Sequence, residues 1–112
     1  MIGSVLVTGG CGFIGSNLVQ RLAASGIRTT VLDLNAGQQH DAGIRFVAGD
    51  IRDRALCRDA MNAIDAVVHL AAESGIPPSV EDPETNFSVN VNGTLSVLLA
   101  AKDAGVRQLI LA

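Results

Sequence analysis

Apolar positions in this chain fall in short runs rich in Val, Ile and Leu, and the stretches between them have helical spacing. That alternation is the signature of parallel strands joined by helices. Ser4 to Thr8 reads as a first strand, and its consecutive apolar residues predict burial on both faces. Glycines end it at once. Phe13 to Ser25 follows as a helix, with Phe13, Ile14, Leu18, Val19 and Leu22 along one side and Asn17, Gln20 and Arg21 along the other. Gly26 is the expected terminator. Arg28 to Asp33 predicts a second strand, Asn35 to Gly43 a polar loop, and Ile44 to Ala48 a third strand. Asp53 to Ala63 has helical spacing, with Leu56, Ala60 and Met61 toward the core, and Asp65 to Ala71 reads as a fourth strand. All the prolines lie between Ser74 and Pro83, which makes that stretch a loop. Asp82 is a suitable N-cap with Pro83 at the first helical position, starting a helix that runs to about Ala104 and is closed by Gly105. Arg107 to Ala112 is a fifth strand.

The order β-α-β-loop-β-α-β-α-β, without internal repeat or linker, predicts one α/β domain over residues 1–112. Right-handed crossovers favour a doubly wound parallel sheet in the order 3-2-1-4-5, with its switch point between strands 1 and 4. Ligands of such sheets sit at the carboxyl ends of the strands beside that point. The loops after strands 1 to 4 are therefore where chemistry is expected.

Composition narrows the choice. Of 112 residues 48% are hydrophobic but only 3% aromatic, so aliphatic side chains must build the core. Eight basic residues against eleven acids leave a net charge of -3, which argues against a nucleic-acid partner. No apolar stretch approaches the ~18 residues of a membrane span, so no membrane partner is expected. Met1 to Gly10 has no basic leader region, and Cys11 and Cys57 lack the Cys-x-x-Cys spacing of a metal or redox site. Reduced thiols in a cytoplasmic protein without a metal site is the reading that follows.

Thr8-Gly9-Gly10-Cys11-Gly12-Phe13-Ile14-Gly15 holds two overlapping patterns: Gly10, Gly12 and Gly15 fit Gly-x-Gly-x-x-Gly, while Gly9, Gly12 and Gly15 fit Gly-x-x-Gly-x-x-Gly. Both supply a sharp turn, close backbone approach to a pyrophosphate and tight helix packing. Free N–H groups at the start of the Phe13 helix then face the diphosphate, with the helix dipole adding positive potential. Glycines also mark ordinary turns, but the position between a strand and a helix is the context the motif requires. Gly15 is followed by Ser16 and Asn17, which does not fit an NTPase phosphate loop. Asp33 ends the second strand 18 residues after Gly15; a carboxylate there accepts hydrogen bonds from a ribose diol and repels a 2′-phosphate, favouring NAD over NADP.

These residues carry a family resemblance. The glycine segment resembles the Thr-Gly-x-x-Gly-Phe-Ile-Gly fingerprint of the extended short-chain dehydrogenase/reductases, in particular the NAD-dependent sugar-nucleotide epimerase/dehydratase group that includes UDP-glucose 4-epimerase. It decides the register for Gly9, Gly12 and Gly15. Asp50-Ile51 is similar to the family's acid-hydrophobic pair, His69-Leu70-Ala71-Ala72 to its fourth-strand segment, and Asn90-Val91-Asn92-Gly93-Thr94 to its Asn-Val-x-Gly-Thr motif. The resemblance implies a Rossmann-type fold with NAD as cofactor, bound by Gly9, Gly12, Phe13, Ile14, Gly15, Asp33, Asn35, Asp50, Ile51, Leu70, Ala71, Ala72 and Asn90. It places Asp50 at the adenine amino group and Ile51 on the ring, and lets the small residues after strand 4 bring backbone to the cofactor. Asn90's counterpart helps position a catalytic lysine through water. A nucleotide-sugar substrate and a homodimeric parent are also implied.

The family's proton transfer uses a tyrosinate and a lysine four residues later, with a Ser or Thr orienting the substrate hydroxyl. This chain has no Tyr, and its only lysine is Lys102, so no catalytic residue is assigned. An unassisted tyrosine, at about pKa 10, would be a poor base at neutral pH in any case. The expectation is an amino-terminal fragment, truncated after strand 5, that holds the cofactor half of an epimerase or dehydratase and does not turn over alone. Leu109, Ile110 and Leu111 would then form an uncovered edge strand prone to self-association. A non-catalytic dinucleotide sensor or interaction module, or a non-binding remnant, are the alternatives.

Overall fold

The computed structural model describes residues 2–36, 43–72 and 82–112. Strands β1 (Ser4–Thr8), β2 (Arg28–Asp33), β3 (Ile44–Ala48), β4 (Ala66–His69) and β5 (Gln108–Leu111) form one parallel sheet in the order β3-β2-β1-β4-β5. The predicted order and switch point are therefore present. Central strand β1 is buried at every position, as a strand covered on both faces must be.

Each face of the sheet has its own core. Leu6, Leu32 and Val67 pack against Cys57 and Ala60 of α2 (Arg54–Ala60), Met61 just beyond it, and Val97, Ala100 and Ala101 of α4 (Gly93–Ala104). On the other face Val5, Val7, Val31 and Ala66 meet Val19, Leu18 and Leu22 of α1 (Phe13–Ala24). Gly26 ends α1 in the left-handed conformation, with its N–H on Ala23 O (3.0 Å) and that of Ile27 on Leu22 O (3.1 Å). This is a Schellman closure. Gly105 closes α4 the same way.

Apart from one-residue differences at the ends of α1 and β5, four details differ from expectation. Phe13 and Ile14 do not face the core: they are 86% and 70% exposed, because the first turn of α1 projects past the strand ends and meets the open mouth of the sheet instead. α2 stops at Ala60 rather than Ala63, since Ala63 adopts φ 60° in the turn that sends Ile64 back toward β4. β4 ends at His69, where the N–H groups of Leu70 and Ala71 turn onto Thr8 Oγ (both 3.1 Å). The long helix from Pro83 is not uniform: α3 (Pro83–Phe87) leads into a π-helical turn (Ser88–Asn92) before α4 begins. Asp82 caps this run as expected, accepting from Thr85 N at 3.1 Å. The predicted loops over 35–43 and 74–83 lie largely outside the described residues.

Candidate cofactor site

The glycine loop is shaped almost entirely by backbone collisions. Gly9 sits at φ 72°, donates its N–H to Leu32 O (2.9 Å) and accepts from Gly12 N (3.1 Å); a Cβ on it would lie 2.8 Å from Ala71 N. A Cβ on Gly15 would be driven into Gly9 O. Gly10 is crowded from inside, where its Cβ would come within 2.7 Å of Val31, so it serves helix packing and does not line the cavity. Gly12 differs. It is the N-cap of α1 in an ordinary extended conformation, and a Cβ there would approach nothing closer than Gly9 O at 3.4 Å. The fold itself does not need a glycine at that position; the bare backbone faces the cavity. The first-turn N–H groups of α1 have no intrahelical partner, no side chain caps them, and no acid lies in that turn. Positive potential is left pointing outward.

Asp33 faces this turn from the end of β2. Its carboxylate accepts the N–H of Cys11 (3.1 Å) and of Asn35 (2.9 Å), which fixes its orientation. Burial, then the Asp33 charge, push the Cys11 thiol up, so it stays protonated at neutral pH. Asp50 follows β3 and is gripped by Arg52, whose Nη2 lies 2.6 Å from Oδ2, while Arg52 N donates to Oδ1 at 2.9 Å. Those hydrogen bonds hold the Asp50 carboxyl below the usual range. Arg52 also donates to Ser88 Oγ (3.2 Å) in the π turn. Ile51 is buried and seated on Gly93, where a Cβ would come within 2.5 Å of Ile51 Cδ1. The group that crowds Gly93 is thus a side chain and not another backbone.

These walls enclose a cavity of about 550 Å³ at the carboxyl ends of the strands. That volume is in the range of small-molecule sites. Gly9, Gly12, Phe13, Ile14, Gly15, Asp33, Asn35, Asp50, Ile51, Leu70, Ala71 and Ala72 all line it. Asn90 does not; it lies in the π turn, its Nδ2 donating to Asn86 Oδ1 at 3.3 Å. Its neighbour Val89, in the same turn, is at the cavity wall instead. Sequence reasoning also missed Cys11, Leu32, Leu34 and Ala112 in the lining. Cys11 could have been found from its place between Gly10 and Gly12; Val89 carries no such signal. Glu73 and Ser74 lie outside the described residues. Lys102 is exposed on α4.

Comparison with known proteins agrees with the geometry. The NAD dependent epimerase/dehydratase family matches residues 5–112. The chain belongs to this family. Family members similar to it include UDP-glucose 4-epimerase of Streptomyces lividans, 40% identical over 98% of this chain and 35% of the relative. A dTDP-glucose 4,6-dehydratase of Mycolicibacterium smegmatis is 44% identical over 92% of this chain and 34% of the relative. Among solved structures, UDP-glucose 4-epimerase of Thermus thermophilus in complex with NAD superposes with a TM-score of 0.85 at 40% identity, covering 95% of this chain and 36% of that one. DesIV of Streptomyces venezuelae, a dTDP-glucose 4,6-dehydratase with NAD bound, gives 0.83 at 38% identity, with 95% and 38% covered. The chain thus spans about 35% of the length of the curated relatives it matches. Among the described residues no helix is long and apolar enough to cross a membrane.

Proposed function

We propose that this chain binds NAD and forms the cofactor half of a nucleotide-sugar epimerase or dehydratase. The observation that carries the reading is Gly12: an open-faced glycine at an uncapped helix N-terminus, opposite an oriented carboxylate. A side chain there would fill the cradle a pyrophosphate needs, and the N–H groups of the first turn would hold the anion. Asp33 would take the ribose diol, with Asn35 N–H keeping it oriented. Asp50 and Ile51 would flank the adenine, and Leu70, Ala71 and Ala72 would line the path toward the other half of the dinucleotide. Asn90 would act from the π turn rather than from the cavity wall. Bound NAD would supply a reversible hydride-accepting ring; the residues here hold and orient it. The family's Tyr-x-x-x-Lys pair is absent from these 112 residues, so turnover by that route would need residues beyond them.

The parent would take a nucleotide-sugar substrate and pair as a homodimer. Phe87, Val91, Leu95 and Leu98 are exposed at helical spacing from the end of α3 through the π turn into α4, which gives such a pair an apolar stripe. The free thiols Cys11 and Cys57 suit the cytoplasm. With Ile110 and Leu111 half exposed on edge strand β5, the isolated chain would self-associate. Titration calorimetry with NAD and NADP tests the central claim. Saturable NAD binding, weaker for NADP by about tenfold or more from repulsion at Asp33, is expected. Absence of saturable NAD binding by folded protein would refute it.

A further inference from the structure

Thr8 closes β1, His69 closes β4, and Thr94 lies in the first turn of α4. None of the three lines the cavity, yet their side chains are joined. Thr8 Oγ is 2.6 Å from His69 Nδ1, and His69 Nε2 is 3.0 Å from Thr94 Oγ. Counting protons assigns the roles. Thr8 Oγ accepts the N–H of Ala71 and shares that of Leu70 with Thr8 O, so both its lone pairs are engaged and only its own proton is left for His69 Nδ1. Nδ1 is therefore the acceptor, and Nε2 carries the hydrogen that goes to Thr94 Oγ. Thr94 in turn donates its hydroxyl to Asn90 O at 2.7 Å. Burial lowers the pKa of the ring and keeps it neutral. An imidazolium, a donor at both nitrogens, could not accept the Thr8 proton.

One end of this chain of hydrogen bonds holds the N–H groups of Leu70 and Ala71, a wall of the cavity that packs against Gly9. The other end enters the π turn, where the regular helical ladder is interrupted and Val89 reaches the cavity. π turns are rare and need local support. We propose that His69 is a positioning residue of the dinucleotide pocket, fixing the β4 wall against the glycine loop and, through Thr94, holding the π turn in phase. This rests on the cofactor reading above.

Two measurements test it. The ¹⁵N shifts of the His69 imidazole at pH 7 should show a hydrogen on Nε2 and an acceptor at Nδ1; the opposite tautomer, or a charged ring, overturns the proposal whether or not any nucleotide binds. His69→Phe keeps a flat ring and loses both hydrogen bonds, so NAD affinity should fall about tenfold. AMP needs the β1-β2-β3 side of the site, which meets the π turn and α4 only through Arg52 on Ser88 and Ile51 on Gly93, so its affinity should fall by less, at most about threefold. His69→Asn keeps an acceptor within reach of Thr8 and should restore NAD binding to within about threefold of wild type. If His69→Phe does not fold, Thr94→Val cuts only the far link and should weaken NAD by about threefold and AMP by less. Equal losses for NAD and AMP, or no loss in a folded variant, overturn the proposal. A wild-type chain that binds neither nucleotide overturns the cofactor reading, and with it the positioning role; the tautomer still decides the hydrogen-bond chain.

Discussion

Helix α1 and the run from α3 to α4 both reach the same cavity, but they are held there by different means. α1 enters through glycines whose neighbours leave no room for a side chain: Gly9 meets Ala71, Gly10 meets Val31 and Gly15 meets Gly9. At Gly9 and Gly15 backbone excludes backbone, at Gly10 a valine does the same, and a single carboxylate, Asp33 on the N–H of Cys11, adds a side-chain bond. The second run enters through a π turn tied down by Arg52 on Ser88 and by Thr94 on Asn90. One entrance is set by what is absent, the other by what is attached. Defects at the first should be abrupt, and those at the second graded.

Gly15→Ala should break the contrast hardest. The new methyl has backbone on its near side and cannot move aside, so a loss of about 3 kcal/mol or more in urea unfolding is expected, with NAD binding gone. Stability near wild type would mean the loop relaxes freely and is not set by exclusion. Gly12→Ala sharpens the comparison from within the same loop. Its nearest contact is 3.4 Å and its φ is -74°, so the stability cost should stay within about 1 kcal/mol, the scale of an N-cap change. NAD affinity should nevertheless drop at least about tenfold, since the methyl would occupy the pyrophosphate cradle. If both quantities fall together, Gly12 is structural after all.

The smallest effect belongs to the attached side. Burial depresses the folded-state pKa of His69 below the ordinary value of about 6.5. Above that value both states are neutral and nothing is lost. As pH falls below it, the unfolded chain takes the proton first, so stability declines until the folded-state pKa is reached and then levels. Asp50, held ionised by Arg52, adds a separate loss in more acid solution, below the ordinary carboxylate range. Urea melts stepped from pH 7.5 to 5 should show the first decline in wild type and a shallower one in His69→Phe. Identical slopes would remove His69 from the account.

Much of this was legible in the chain itself. Strand order, both glycine helix stops, the Asp82 cap, the glycine loop and Asp33 follow from short-range pattern: two-sided apolar strands, left-handed glycines and a strand-glycine-helix junction. The rest of the expected wall, such as Asp50, Ile51 and Leu70 to Ala72, came with the family resemblance. What escaped depends on longer reach. Phe13 and Ile14 have core-like spacing, yet the sheet ends beneath them, and no local pattern reports where a neighbouring strand stops. The π turn over Ser88–Asn92 alters the hydrogen-bond register while leaving the residues helical in type, so it leaves no mark in hydrophobic periodicity. Val89, which lines the cavity, lies within that turn. Thr8, His69 and Thr94 stand far apart in the chain and join only when β1, β4 and α4 assemble.

The doubly covered strands carry one more consequence. A strand with water on one side is protected against slipping by polarity, because a one-residue shift would expose its apolar set. β1 and β2 lack that protection. They discriminate by size: Val5, Val7 and Val31 face α1, whereas Leu6 and Leu32 face α2 and α4. The α1 side is the tight one, with Val31 and Val19 already against Gly10. A slipped pairing would press leucines into space cut for valines and leave gaps opposite, an overpacking and a cavity at once. Correct alignment of this sheet is written in single methylene groups.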